Sequence, residues 1–142
     1  MVPLPRFKSI TPPGAILDNA AATTAEVDCQ DADYIIVTAY FGATDIAAAV
    51  LKLQASDTSG SGFTDISGSD LASSATATID GTAIRWYIDR RKTMGNKRYL
   101  DLLFTAGDGS AGTYFTAFAD LYRLNSTPTS NAELNVTASA FL

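Results

Sequence analysis

The sequence contains no histidine, and this absence excludes more chemistry than any other feature of the chain. Histidine is the commonest general base in enzymes, a usual zinc ligand and the partner of serine and cysteine nucleophiles. The G-x-S-x-G, P-loop and dinucleotide-binding motifs are also missing. Glutamate occurs only at Glu26 and Glu133, and the aspartates fall mostly in segments that are typical of turns. We therefore expect no enzyme and no cofactor.

Cysteine, lysine, glutamate and long apolar runs are scarce as well. The lone Cys29 cannot form an internal disulfide, and we expect it to be a small buried residue. No run of 18 apolar residues is present, and residues 1–8 lack the apolar core of a signal peptide, so we expect neither a membrane helix nor a leader. Lysine and glutamate build most exposed helix faces, so their scarcity argues against a helical protein. The net charge of −5 disfavours binding to nucleic acid.

Alternating apolar and polar residues dominate what remains, which predicts strands with one buried face. The clearest run is 97–105, in which we expect a strand at Tyr99–Thr105, and an earlier run, 83–89, predicts a strand at Ile84–Arg90. A third run, Tyr34–Phe41, is rich in β-branched and aromatic residues, and we expect Thr38 and Tyr40 to point outward from it. We predict an all-β fold, a single antiparallel β-sandwich or jelly roll. The residues expected to face its core are Leu100, Leu102, Phe104, Ile84, Trp86, Ile88, Ile35, Val37, Ala39 and Phe41.

The remaining segments before residue 83 are predicted to be short strands and one long loop. Short strands are expected at Ala15–Asp18 and Thr24–Cys29. Residues 44–56 fit either a capped short helix or a strand with Ala49, Leu51, Leu53 and Ala55 inward, and the strand is favoured. Residues 56–83 read as a folded Ser/Gly/Asp loop pinned by Phe63 and Ile66. Its aspartates do not match the spacing of a calcium loop, which favours turn formation over metal binding.

The strand predicted at 113–124 has two unlike faces. Phe115, Ala117, Ala119 and Leu121 form the face expected to be buried. The other face contains three aromatic residues, which is more than a solvated face needs. Those residues are Tyr114, Phe118 and Tyr122.

The two ends of the chain are predicted to be arms around one sandwich domain, residues 15–142. Residues 1–14 hold four of the five prolines, which predicts an extended arm outside the sheets. Phe7 and Ile10 would anchor this arm on a neighbouring subunit, or the arm would be free. Residues 126–142 alternate again and end on Phe141 and Leu142, which predicts a final strand or a docked arm.

A cluster of positive charge lies around a predicted hairpin and includes six of the ten cations of the chain. Neighbouring aromatic residues allow a nucleic-acid site, but a solvated hairpin whose cations pair with the acidic remainder is favoured. A docking patch for an acidic protein surface is the third alternative. The six residues are Arg85, Arg90, Arg91, Lys92, Lys97 and Arg98.

Two regions resemble small structural proteins of tailed-phage virions that are encoded among the head genes. One is the segment 95–105, Gly-Asn-Lys-Arg-Tyr-Leu-Asp-Leu-Leu-Phe-Thr, followed by a Gly-rich turn and the Ala-rich strand Phe115–Leu121. The other is Ala49–Ala55 with the following Ser/Asp loop that contains Phe63-Thr64-Asp65. The similarity covers residues 20–125. The pattern Gly-x-x-Arg-Tyr-aliphatic-x-Leu also marks carbohydrate-binding jelly rolls of the discoidin type.

The resemblance implies a decoration or cement protein that lies on the capsid surface of a virion and is made in the host cytoplasm. Its partners would be the major capsid protein and other copies of itself, often as a trimer, with no membrane partner. The strongly basic hairpin departs from the family's pattern, so no functional residue is transferred from the family to this chain. A carbohydrate-binding module using Tyr87, Tyr99, Tyr114 and Tyr122 is the alternative, and a head–tail connector component is a further one.

Overall fold

The structure is a computed structural model and describes residues 5–123 and Val136. Eight strands and two short helical turns follow one another along the described chain. The helical turns are a 3-10 turn, Ala72–Ser74, and α1, Arg90–Thr93. The strands are β1 Arg6–Thr11, β2 Val27–Asp28, β3 Tyr34–Thr44, β4 Val50–Ser56, β5 Thr64–Asp65, β6 Ala83–Asp89, β7 Tyr99–Thr105 and β8 Thr113–Tyr122.

The strands form two four-stranded antiparallel sheets that pack face to face, which confirms the predicted β-sandwich. We call the sheet with strand order β1-β8-β3-β6 sheet 1, and the sheet with order β2-β7-β4-β5 sheet 2. Each long strand alternates buried and less buried residues, because successive side chains point to opposite faces. The core is therefore the layer between the two inner faces.

The inward residues predicted from alternation are buried on every long strand, although Ile84 is only partly so. Phe104 of sheet 2 lies between two rings of sheet 1, stacked on Phe115 at 4.1 Å and edge-on to Phe41 at 5.8 Å. One expectation was wrong. Ala49 is exposed because β4 begins only at Val50. Thr38 is on the outer face as predicted but is buried among its neighbours.

The N-terminal segment corrects the prediction of an arm outside the sheets. Residues 6–11 form β1, which pairs with β8 at the edge of sheet 1. The prolines at 12 and 13 follow the strand, where their missing N–H groups cost no ladder bond. Ile10 is 2% exposed and belongs to the core of its own chain. The predicted C-terminal element, 126–142, lies outside the described residues apart from Val136.

The early strands are shorter than predicted. The strand expected at Ala15–Asp18 is reduced to a single bridge between Leu17 and Thr113. Of the strand expected at Thr24–Cys29, only β2 pairs with β7. The loop after β4 is folded, as predicted, because Ile66 packs on the core and its backbone N–H donates to the Leu53 carbonyl.

The connection from β6 to β7 is a crossover between sheets and not the predicted hairpin. β6 pairs with β3 in sheet 1, whereas β7 pairs with β2 and β4 in sheet 2. α1 occupies this connection, and the Asp89 carboxylate caps it by accepting from the Lys92 backbone N–H. The alternation in both strands is correct, but alternation does not determine which sheet a strand joins.

Candidate binding surface

The outer face of sheet 1 is unusually aromatic, and we call it the aromatic face. It collects the outward side chains of all four strands, which the register places on one side of the sheet. The solvated face of a typical antiparallel sheet consists mostly of polar residues instead. The large side chains of the aromatic face are Phe7, Tyr34, Ile36, Tyr40, Tyr87, Tyr114, Phe118 and Tyr122.

Four tyrosines of this face are the most open large side chains on it. Tyr87 is 73% exposed, Tyr114 is 48%, Tyr40 is 44% and Tyr34 is 41%. Tyrosine combines a broad apolar ring with a polar hydroxyl and is favoured where a surface becomes covered by a partner. The exposure of these rings makes the aromatic face the best candidate for a binding surface.

Two hollows lie at opposite ends of the aromatic face. One, of about 490 Å³, lies among Tyr34, Tyr87, Tyr122 and Arg123, whose guanidinium stacks over the Tyr34 ring at 5.4 Å. The other, of about 230 Å³, lies between Tyr40 and Tyr114 beside Pro13 and Gly14. Hollows of this size accept protruding side chains of a partner or part of a small ligand.

Polar groups occupy the centre of the aromatic face. Burial raises the pKa of Asp120, and the positive charge of Arg85 opposes that rise. Burial beside the Asp120 charge also raises the pKa of Tyr122. The Thr38 hydroxyl has no hydrogen-bond partner within the described part of the chain. The centre is therefore partly desolvated before any partner binds.

Phe7, predicted as an arm anchor, lies at the β1 edge of the aromatic face. Its ring packs on Phe118 with 5.6 Å between centroids. Ile10 is in the core and is not available to a partner, because the strand it occupies is part of the sheet. The other predicted contact residues, Phe141 and Leu142, lie outside the described residues.

Residues 90–98, which hold five of the six clustered cations and are called the basic segment here, mostly make contacts within their own chain. Arg90 donates to the Ala32 carbonyl at 2.9 Å, Arg91 lies 3.4 Å from the Asp33 carboxylate, and Lys97 contacts the Thr64 hydroxyl. Lys92 is exposed on α1. Arg85 lies apart from this segment, on the aromatic face. These contacts favour the interpretation in which the cations pair with the chain's own acidic and polar groups.

Arg98 forms a two-pronged ion pair that joins β2 to the start of β7. Its Nε lies 2.8 Å and its Nη2 2.5 Å from the two carboxylate oxygens of Asp28. The hydrogen bonds from Arg98 hold the pKa of Asp28 below its usual value of 3.8, against the opposing effect of burial. A lowered carboxyl pKa stabilises the folded state above the unfolded pKa, and that stability is lost as the pH falls through the folded pKa.

We expect Asp28→Asn to lower the urea midpoint at pH 7, with a difference from wild type that shrinks as the pH falls below about 3.8. Equilibrium urea unfolding at a series of pH values measures this. Asp108→Asn, in an exposed loop, is the matched control and should leave the midpoint unchanged. A midpoint difference for Asp28→Asn that is equal at pH 7 and pH 3 would contradict the ion-pair account.

The tyrosines predicted for a carbohydrate site divide between the two sheets. Tyr87, Tyr114 and Tyr122 meet on the aromatic face, but Tyr99 lies on the outer face of sheet 2 under the Arg98 guanidinium. Tyr34 was not among the predicted residues. Tyr34 begins the alternating strand β3 and is an even number of residues from Tyr40, so both point to the same side of the sheet. This pattern would have identified it.

Within the described residues, the thiol and the loop carboxylates that could have carried chemistry have structural roles. Cys29 is fully buried, and burial raises the pKa of its thiol to about 12, which confirms its predicted role as a small core residue. The Asp65 carboxylate accepts from Lys52 and Gln54, and the Asp70 carboxylate accepts from the Ala72 N–H. Among residues 5–123 and Val136, no three potential ligands cluster as a metal site would require. Within the same residues, both helices are too short to cross a membrane.

Comparisons with known proteins do not assign the chain to a family. No protein-family model, no curated protein and no solved structure matches it. The resemblance to virion structural proteins therefore stays a prediction from the sequence. The aromatic face, with its two hollows and central charges, is the feature from which a function is inferred.

Proposed function

We propose that this chain is a structural virion protein that binds and stabilises a phage capsid through contacts with the major capsid protein and with other copies of itself. The aromatic face is the single observation that carries this proposal. The resemblance in the sequence suggests the class of protein, and the aromatic face provides a surface suited to such contacts.

Protein contacts favour this kind of surface for two reasons. Covering apolar area contributes roughly 25 cal/mol per Å², before the costs of association are subtracted. Tyrosine rings lose little conformational freedom when they are covered, since each has only two side-chain torsions. A sheet face is also rigid, so binding requires little reordering of the backbone. A surface of this kind suits contacts with another protein.

The N-terminal segment would contribute to these contacts as an edge strand of the sheet and not as a loose arm. β1 extends the aromatic face through Phe7 and contributes Ile10 to the core. Removing residues 1–13 would therefore take away an edge strand as well as any contact. For this reason, surface substitutions on the aromatic face test the proposal better than truncation does.

A measurement on assembled particles tests the proposed function. In particles purified by density gradient from cells that produce this chain, mass spectrometry should find it at a fixed ratio to the major capsid protein. Sedimentation of the pure protein should give the mass of a homo-oligomer, and a glycan array should give no hits. Absence from such particles, or a monomer with glycan hits, would contradict the proposal.

A carbohydrate-binding module is the second candidate, because the aromatic face brings together tyrosines that are separate in the sequence. Tyr34, Tyr87 and Tyr122 surround the larger hollow, beside Asp89 and Arg123, which provide hydrogen-bonding groups. Sugar rings pack their apolar faces on such side chains. This function predicts a monomer in solution and glycan-array binding that is lost in Tyr87→Ala.

A further inference from the structure

Opposite charges lie near the centre of the aromatic face without direct partners. Arg85 on β6 is exposed, and Asp120 on β8 is partly buried. Within residues 5–123, neither side chain forms an ion pair or a hydrogen bond with another side chain. The charge of Arg85 acts on Asp120 only from a distance, and a charge without a direct contact is costly to cover on a largely aromatic surface unless the covering surface supplies the opposite charge.

We infer that the aromatic face binds the aromatic face of a second copy of this chain, with Arg85 of each copy opposite Asp120 of the other. This inference rests on the proposed function, because it identifies the surface through which copies associate. The face contains both members of the charge pair, so it is complementary to itself. Self-complementary patches are what two-fold dimers use.

The strand register shows that one symmetry axis makes both charge pairs at once. Asp120 is opposite Ile36 on β3, and Arg85 is opposite Thr38 on the other side of the same strand. The two charges are thus two strand spacings apart, about 10 Å across the sheet. A two-fold axis in the plane of the contact, crossing β3 between Ile36 and Thr38, places each Arg85 against the second copy's Asp120.

The same axis pairs the large rings of the face. Tyr87 lies beside Ile36 on one side of β3, and Phe118 lies beside Thr38 on the other side. The diagonal that joins the two charges is therefore crossed by the diagonal that joins Tyr87 to Phe118. This diagonal runs close to the axis, so Tyr87 meets Tyr87 of the second copy and Phe118 meets Phe118. Aromatic pairs of this kind contribute about 0.5–1.5 kcal/mol beyond the area they cover. Tyr87 is the most exposed ring of the aromatic face and is covered in this arrangement.

The size of the face sets the expected strength of the contact. Four strands are about 19 Å wide, and seven residues of a strand are about 24 Å long, which gives a flat area of about 450 Å² per copy. A stable interface buries about 800 Å² per partner. Two copies therefore bury about 900 Å² together, which is below the roughly 1,200–2,000 Å² of a standard interface, so we expect a weak, concentration-dependent dimer. Pairs of this kind differ from the threefold clusters that the sequence resemblance implies.

Charge reversal on each side of the contact tests the inference by sedimentation velocity over a range of concentrations. Arg85→Asp and Asp120→Arg should each weaken self-association at least about tenfold, since a two-fold axis makes every substitution act twice. Mixing the two variants should restore a dimer, because every contact across the axis then joins opposite charges. Asp120→Asn, which nearly keeps the shape of the side chain, should weaken the dimer less than reversal does.

The control variants carry the same charge changes away from the aromatic face. Lys92→Asp on α1 and Asp108→Arg in the β7–β8 loop are both exposed, and each should dimerise like wild type. Circular dichroism checks that all variants are folded. A wild-type monomer or trimer would overturn the inference, and so would a mixture of Arg85→Asp with Asp120→Arg that stays monomeric.

The outcomes separate this inference from the proposed function. If the chain is a constituent of purified particles but charge reversal leaves its mass unchanged, another surface joins the copies and only the inference fails. If the chain is absent from particles yet dimerises through Arg85 and Asp120, the proposed function fails and the contact stands.

Discussion

Phe104→Ala should lower the free energy of unfolding by about 3–5 kcal/mol, the usual cost of removing a buried phenylalanine. The Phe104 ring is 2% exposed and connects the sheets, because it stacks on Phe115 and meets Phe41 edge-on. Truncation removes both contacts and leaves a cavity between two rigid sheets, which cannot close around it. Equilibrium urea unfolding monitored by tryptophan fluorescence measures the loss.

Two further variants keep this prediction testable if Phe104→Ala does not fold. Phe104→Leu retains most of the volume and should cost about 1 kcal/mol. Ile16→Ala removes an apolar side chain that is 41% exposed and should change stability by less than about 0.5 kcal/mol. Equal losses for Phe104→Leu and Ile16→Ala would contradict the packing described for the two sheets.

Gly112→Ala should be the most damaging of the glycine substitutions in the β7–β8 turn. Gly112 has a φ of +76°, and an added Cβ would lie 2.4 Å from the Leu17 carbonyl oxygen. The left-handed conformation costs a side chain about 1–2 kcal/mol, and displacing a backbone carbonyl adds about 1–3 kcal/mol. The Thr113 N–H donates to the same carbonyl at 2.7 Å, so relief of the clash disturbs a hydrogen bond as well. We expect a total loss of about 2–5 kcal/mol in thermal or urea unfolding.

Gly60→Ala is the matched control for Gly112→Ala. Gly60 has a similar φ of +74°, but nothing lies within 4 Å of an added Cβ. Its substitution should therefore show only the conformational cost, about 1–2 kcal/mol. The difference between the two variants measures the close approach of the segment around Leu17 to the turn. Equal effects would show that this segment does not pack there.

Period-two alternation in the sequence was sufficient to predict the main strands and the core. Tyr99–Thr105 has its predicted bounds, and the inward residues of β3, β7 and β8 are buried as expected. Alternation depends only on the residues of the strand itself, so it identifies the buried face of a strand but not the strands that lie beside it. It could not show that β6 and β7 belong to different sheets, because strand pairing depends on contacts far apart in the sequence.

The candidate surface was predictable only in part for the same reason. The aromatic outer face of β8 was evident from Tyr114, Phe118 and Tyr122 alone. That Tyr34 and Tyr87 extend this face, while Tyr99 lies on the opposite sheet, follows from the strand order. The proline-rich start of the chain misled the prediction of β1, since the residues between its prolines pair along the open edge of β8.

The central claim is that the aromatic face is the surface through which this protein binds. Hydroxyl-radical footprinting of the wild-type protein at increasing concentration tests it most directly, because both sheets carry a tyrosine on their outer face. We predict that Tyr87 becomes protected as the mass in solution rises, while the labelling of Tyr99 stays constant. Protection of Tyr99 with unchanged labelling of Tyr87 would contradict the claim.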